Sequence, residues 1–383
     1  MVPVNRRKKQ CSYVLIVLGL ALWCDFLGGL EKERSGTAAG GVETFDSGFL
    51  PGDAPALLPV RRMEELFQVE TVISLEQVDG ANVGQATDLV NHDGHWFVLD
   101  RMTFGIYKFT EDGAFVMRFG RRGEGPGEFE YPQRLRVCFD GLLAVNDPLQ
   151  GRIQLFTTNG QFVRSVVPKV FQRPISHTDN FLWNSRDLLI VQAWRAAKTR
   201  EFQWVAIDPD QFNPPPKFGL GDFEFGARSS SDNPWQPSIF VALEEIENRY
   251  WVGSANSFQW KVFNRQGALV GRLGSADESV PALDQHPGRR QLLQIGDWVF
   301  LPVARGYDVY LKNGQRIAVN LELNSFHLDY GYKDRGVMIA PSGLDTNAMP
   351  DGDLKNLLLA KGYRPQNNPF LVIFKLEYDR DLG

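Results

Sequence analysis

A hairpin turn that recurs at a fixed spacing, alternating apolar strands around it, and a length too great for one core together predict an all-β fold. The specific expectation is a six-bladed β-propeller closed by an N-terminal strand. Length comes first: the chain has 383 residues, beyond the roughly 250–300 at which a single core stops growing. It must split into domains or arrange several small cores around a ring. Composition is ordinary for a globular protein, with 43% hydrophobic and 23% charged residues, 37 Gly, 22 Pro and only 3 Cys. Disorder, collagen and a disulfide-stapled miniprotein are thereby excluded.

The N-terminus reads as an export signal. Arg6, Arg7, Lys8 and Lys9 precede an apolar run from Cys11 to Trp23, which Asp25 interrupts and Phe26 to Leu30 extend. A basic segment before a short apolar core is the pattern of a secretory signal. Small residues at Gly36, Thr37, Ala38 and Ala39 offer a cleavage site. The alternative is an uncleaved signal anchor, since Cys11 to Leu30 approaches the spanning minimum. Either way residues 1–39 direct the rest of the chain out of the cytoplasm, as a periplasmic, secreted or membrane-anchored domain. Cys24 follows Trp23, not the small residue that a lipid-modified cysteine would have before it. Residues 40–66, rich in Gly, Pro and Ala, read as a linker. The propeller is then expected over 67–383.

Residues 1–39 hold 6 of the 41 basic and 3 of the 46 acidic residues, leaving 35 against 43. That acidic remainder has no basic run, so nucleic-acid binding has no electrostatic footprint. The membrane is met only through the N-terminal segment. Cys138 is the sole cysteine of the expected mature domain; inside Leu135-Arg136-Val137-Cys138-Phe139 it reads as a buried thiol.

The body is a repeat. Phe109-Thr110-Glu111-Asp112-Gly113-Ala114-Phe115-Val116 recurs as Phe156-Thr157-Thr158-Asn159-Gly160-Gln161-Phe162-Val163, with the turn glycine 47 positions later. Phe263-Asn264-Arg265-Gln266-Gly267-Ala268-Leu269-Val270 and Leu311-Lys312-Asn313-Gly314-Gln315-Arg316-Ile317 are further copies, again 47 apart. The gap of 107 between the second and third copies holds two units, with a turn at Asp208 to Asp210. Such turns between alternating apolar runs are strong hairpin signals, expected here to place both central residues at positive φ. A hairpin repeat of this period means propeller blades. The first blade reads as Ala86–Asn91, His95–Asp100, Gly105–Thr110 and Ala114–Gly120. Four more follow over 135–167, 175–221, 238–273 and 289–322. The sixth has strands near 325–331, 335–340 and 370–378, and lacks a fourth. Val69 to Glu76 alternates without a partner of its own, so it is expected to supply that outer strand and close the ring.

Leu143-Ala144-Val145-Asn146-Asp147-Pro148-Leu149-Gln150-Gly151-Arg152-Ile153-Gln154-Leu155-Phe156, continuing into Asn159-Gly160, resembles an NHL repeat: an Asp at a strand end, a short loop, an Arg-Ile dipeptide and an aromatic before the turn. Asp100, Tyr107 and Phe109 give a looser copy. The stretch Phe119 to Phe129, with Pro132, resembles the link between blades in NHL-related six-bladed propellers exported by bacteria. The resemblance spans about 85–170 and implies that fold and compartment; the family carries no single activity.

Function is expected on one face. The tight hairpins all fall at one end of the blades. The long segments 121–134, 168–174, 222–237, 274–288 and the insertion 342–369 fall at the other, and binding concentrates on loops held by a rigid scaffold. The expectation is a binding module for a protein, peptide or carbohydrate, with no cofactor. Arg101, Arg195 and Arg305 follow second strands and are candidates to grip an anionic ligand. Trp183 and Trp235 are candidate stacking platforms. Asp353 to Lys361 reads as a short capped helix that makes the insertion a lid or partner contact. The alternative is a metal-dependent hydrolase or lyase in the channel, with zinc held by His92, His177 and His327 on inner strands.

Overall fold

The computed structural model describes residues 62, 65–77, 81–170, 173–174, 181–196, 201–211, 216–223, 241–254, 257–273, 292–302, 306–322, 328–340, 353–360, 363 and 369–377. Six four-stranded antiparallel sheets form six blades. Blade I comprises Ala86–His92, His95–Asp100, Gly105–Thr110 and Phe115–Phe119. Blade II is Arg134–Val137, Leu143–Asp147, Arg152–Phe156 and Phe162–Val166. Blade III is Phe181–Ser185, Leu188–Ala196, Glu201–Ile207 and Phe218–Phe223. Blade IV is Val241–Ile246, Arg249–Ser254, Ser257–Asn264 and Leu269–Leu273. Blade V is Leu293–Ile295, Trp298–Pro302, Gly306–Leu311 and Arg316–Glu322. Blade VI has Tyr330–Tyr332, Arg335–Ala340 and Phe370–Leu376 from the end of the chain. Its outer strand is Phe67–Ser74, which pairs antiparallel with Phe370–Leu376 in register Phe67↔Leu376 to Ser74↔Phe370. The expected ring closure is what the chain does.

Strand alternation explains why the ring holds. Successive residues point to opposite faces of a sheet, so each blade feeds two cores. Leu89 and Val98 pack towards blade VI, while their neighbours Val90 and Phe97 pack towards blade II. The same partition runs round the ring, giving six buried clusters, each between two consecutive blades. Blades VI and I meet at the closure, where Ile73, Leu75 and Leu371 pack with Leu89 and Trp96. Trp96 meets Tyr332 edge-on at 5.2 Å, and the Tyr332 hydroxyl donates to Glu111.

The hairpin turns differ from the expectation in one respect. Only the glycine has positive φ, at 96° in Gly113, 76° in Gly160, 81° in Gly267 and 90° in Gly314. Gly113 N–H donates to the Thr110 carbonyl and Thr110 N–H to the Ala114 carbonyl, and the register shifts just before the turn, between Lys108 and Phe109. These are three-residue loops, a type I turn closed by a glycine bulge, not two-residue turns with two left-handed residues. Pairs with both residues left-handed occur instead between first and second strands, at Asp93-Gly94 and Glu247-Asn248.

The insertion is not a free lid in its described part. Helix Asp353–Ala360 buries Leu358 completely, and Tyr363 lies over Phe370 with ring centroids 5.1 Å apart. Both belong to the core between blades V and VI, together with Leu66 and Phe67. Removing the insertion would therefore open that core, so the described helix is a core element and not the lid or partner contact expected of it. Leu358→Ala is expected to lower stability by about 2–5 kcal/mol, the range for a large-to-small change in a core, measured by denaturant unfolding; a loss below about 0.5 kcal/mol would free the helix for a lid role. Leu66 also places the start of packing one residue before the expected boundary.

Candidate functional site

The long-loop face is built rigidly where it is described. Asp100 closes the second strand of blade I, and its carboxylate accepts from the backbone N–H of Gly84 (2.5 Å), Gln85 (3.1 Å), Met102 (2.7 Å) and Thr103 (3.2 Å). Asp147, its counterpart in blade II, accepts from Glu130 N–H at 2.7 Å and Tyr131 N–H at 3.0 Å. Both are fully buried and act as loop anchors. Arg152, from the Arg-Ile dipeptide, donates to the carbonyls of Gly125 and Glu128, each at 2.9 Å, and so pins the glycine-rich link. Glu128 accepts from Gly125 N–H and from Arg121, and those two bonds hold its pKa below the ordinary value. At the loop tips, Met102 and Leu149 are 69% and 58% exposed, in equivalent connections of neighbouring blades.

Arg101 lies on this face, as expected from its place after a second strand. Its guanidinium donates to the Tyr131 hydroxyl at 2.6 Å and to Gln85 Oε1 at 3.3 Å, so it braces the loop as well as offering charge. Arg195 lies in strand Leu188–Ala196 of blade III. Arg305, Trp235, His177 and His327 lie outside the described residues. Trp183 provides no stacking platform: it is 1% exposed in the core between blades II and III. Phe139 packs at its edge and Arg164 sits over its ring at 5.4 Å, because alternation on the inner strand turns this side chain into the blade. His92 sits at the end of its inner strand, 3.4 Å from Asp93. Among the described residues no group of three His, Cys, Asp or Glu converges as a metal site. Cys138 is buried, and desolvation pushes its thiol up to about 12, so it is not poised as a nucleophile.

The structure also contains a constellation that the strand and turn patterns do not single out. The inner strands of all six blades surround an axial cavity of about 420 Å³. Arg136 of blade II reaches Glu244 of blade IV, with Nη2 to Oε1 at 3.3 Å, skipping blade III. Behind Arg136 lies Asp88 of blade I, 2% exposed, whose Oδ2 accepts from Leu135 N–H at 2.9 Å. Arg136 is 3.8 Å and Arg134 3.9 Å from the same oxygen. Burial raises the pKa of Glu244, partly offset by Arg136. Burial likewise raises that of the Tyr330 hydroxyl in the cavity wall. The sequence shows charged residues within the inner strands, at Asp88, Arg134, Arg136, Glu244 and Glu245, but their side chains meet only in the assembled ring.

Residues 61–188 match the DUF5128 family, described as a 6-bladed beta-propeller. No curated protein matches the chain. Among solved structures, a Bacteroides fragilis protein described as exported is 15% identical. The alignment covers 84% of this chain and 98% of that one, at a TM-score of 0.55. A member of the duf4221 family from Bacteroides vulgatus is 10% identical over 82% of this chain and 98% of its own, at a TM-score of 0.48. A virginiamycin B lyase from Staphylococcus aureus is 12% identical over 79% of this chain and 83% of its own, at 0.43. At these identities the likeness shows the fold alone.

Proposed function

We propose that the protein is an extracytoplasmic binding propeller that holds a protein or peptide partner on its long-loop face. The observation that carries this reading is the pair Met102 and Leu149, large apolar side chains held out to solvent at equivalent loop tips of blades I and II. Buried Asp100 fixes the Met102 loop from beneath through the N–H groups of Met102 and Thr103, and buried Asp147, two residues before Leu149, anchors the adjoining link at Glu130 and Tyr131. Exposed apolar groups on a rigid frame favour a protein or peptide over a carbohydrate on this surface, since a polar sugar gains little from them. Arg101, next to Met102 and braced on Tyr131, supplies a cation beside the first of these tips. Export is supported by Arg6 to Lys9 ahead of the apolar run from Cys11, and the Bacteroides fragilis protein of the same fold is described as exported. Among the described residues no helix is long and apolar enough to cross a membrane, and the N-terminal segment lies outside them.

Replacing Met102, and separately Leu149, with a photo-crosslinking amino acid in the native cell tests the face. The same residue at Val116, 44% exposed on the outer edge of blade I, is the control. Discrete adducts from the two loop positions and none from Val116 are expected. Equal adducts at all three positions, or none anywhere, would overturn the assignment.

A further inference from the structure

Beyond the partner face, we propose that the axial cavity is a second binding site, and that it takes one small uncharged polyol, a mono- or disaccharide. At about 420 Å³ the space is of the size that small-molecule sites use. Its polar lining mixes Arg136, Glu244, Asn184, Asn248, Gln294 and Tyr330 with apolar side chains.

Charge decides the ligand class. Arg136 and Glu244 already face each other at 3.3 Å, and Arg134 and Asp88 stand behind them; Glu245, also in the lining, is held by Arg265 at 2.6 Å, so three positive and three negative groups balance. An anion would have to displace Glu244 from Arg136 and then sit beside a buried carboxylate. A cation would meet the mirror-image difficulty. Either leaves a charge unpaired in a partly desolvated space, which is strongly unfavourable. A neutral polyol needs no such exchange. Glu244 keeps 27% of its side-chain surface open to the cavity, so its carboxylate can accept from a hydroxyl while still holding Arg136. The amides of Asn184, Asn248 and Gln294 each add donors and acceptors, the pattern that vicinal hydroxyls match.

An ion pair between blades that are not neighbours is a poor stabilising device. Well-packed apolar residues at such positions are often as stable or more so. Charged groups displaced from ordinary pKa by burial cluster at functional sites, and Glu244 is one such group.

The test is calorimetric titration of the full chain with glucose, galactose, maltose and cellobiose, alongside glucuronate and glucosamine. At least one neutral sugar is expected to bind with a Kd below about 10 mM, more tightly than its charged counterparts. Glu244→Gln is expected to weaken that binding about tenfold or more, because it removes the charged acceptor. Asn184→Leu, at an exposed wall position, provides a second reading should Glu244→Gln fold poorly; it is expected to weaken binding comparably at unchanged Tm. Absence of binding by any neutral sugar, tighter binding of a charged sugar, or unaltered affinity in both variants overturns the proposal. Loss of saccharide binding with photo-adducts intact at Met102 separates failure here from failure of the partner face.

Discussion

Deletion of residues 67–78 is expected to abolish cooperative unfolding of the propeller. Strand Phe67–Ser74 provides the outer strand of blade VI, and with Leu75 it buries Phe67, Val72, Ile73 and Leu75, none more than 6% exposed. Fully burying one such side chain stabilises by about 1.5–3 kcal/mol. Losing four approaches the whole of a domain's usual stability, about 5–15 kcal/mol. The damage falls on two cores at once, because Phe67 and Val72 pack between blades V and VI while Ile73 and Leu75 pack between VI and I. It also removes the Glu70 carboxylate that holds Arg335 at 2.6 Å and leaves Phe370–Leu376 as an open, apolar edge strand prone to pairing with other chains. Calorimetry and size-exclusion chromatography check this: no cooperative transition, or one far below that of the intact chain, with aggregation. A Tm within a degree or two of the intact chain would contradict the closure.

Asp88→Ala is expected to cost about 3–5 kcal/mol, the range for breaking a buried ion pair from one side. Asp88 lies between two guanidiniums, Arg134 and Arg136, and accepts from the backbone N–H groups of Leu135 and Leu89. Alanine removes the compensating charge and both acceptors at a position 2% exposed. The Leu135 bond joins the inner strands of blades I and II, so its loss loosens the ring next to the cavity. Asp88→Asn keeps an acceptor for Leu135 and is expected to lose less. Midpoints of denaturant unfolding report both values. A loss below about 1 kcal/mol for alanine would mean that cavity water solvates the guanidiniums.

Much of this architecture is legible in the chain. The 47-residue spacing from Gly113 to Gly160 and from Gly267 to Gly314 gives the blade period. Strands in blade I fall within a residue or two of where alternation places them. The unpaired run at Val69 to Glu76 reveals the closure, because an isolated alternating strand must find an edge. The turn chemistry is less legible: Asp112-Gly113 is compatible with both a two-residue turn and a bulged three-residue loop, and the register of the flanking strands decides between them. The helix at Asp353–Ala360 is visible as a helix but not as a core element, since Leu358 and Tyr363 look the same whether they plug a core or face a partner.

The candidate sites divide in the same way. Arg101 falls on the long-loop face because that placement follows from strand order alone. Trp183 could not be assigned so simply: one step of alternation separates a channel-facing ring from one buried between blades, and the register Trp183↔Leu189 sets that step. Arg136 and Glu244 are 108 positions apart, and nothing local links them.

By itself the sequence determined the hairpin unit, its repetition, the ring it must form and the strand that closes it, because each comes from short-range periodicity and the need to bury alternating apolar faces. Only the tertiary structure decided which charges meet on the axis and which surface residues stand clear of it. Those depend on how six twisted sheets are inclined around a common centre, a property of the assembled ring that no single blade encodes.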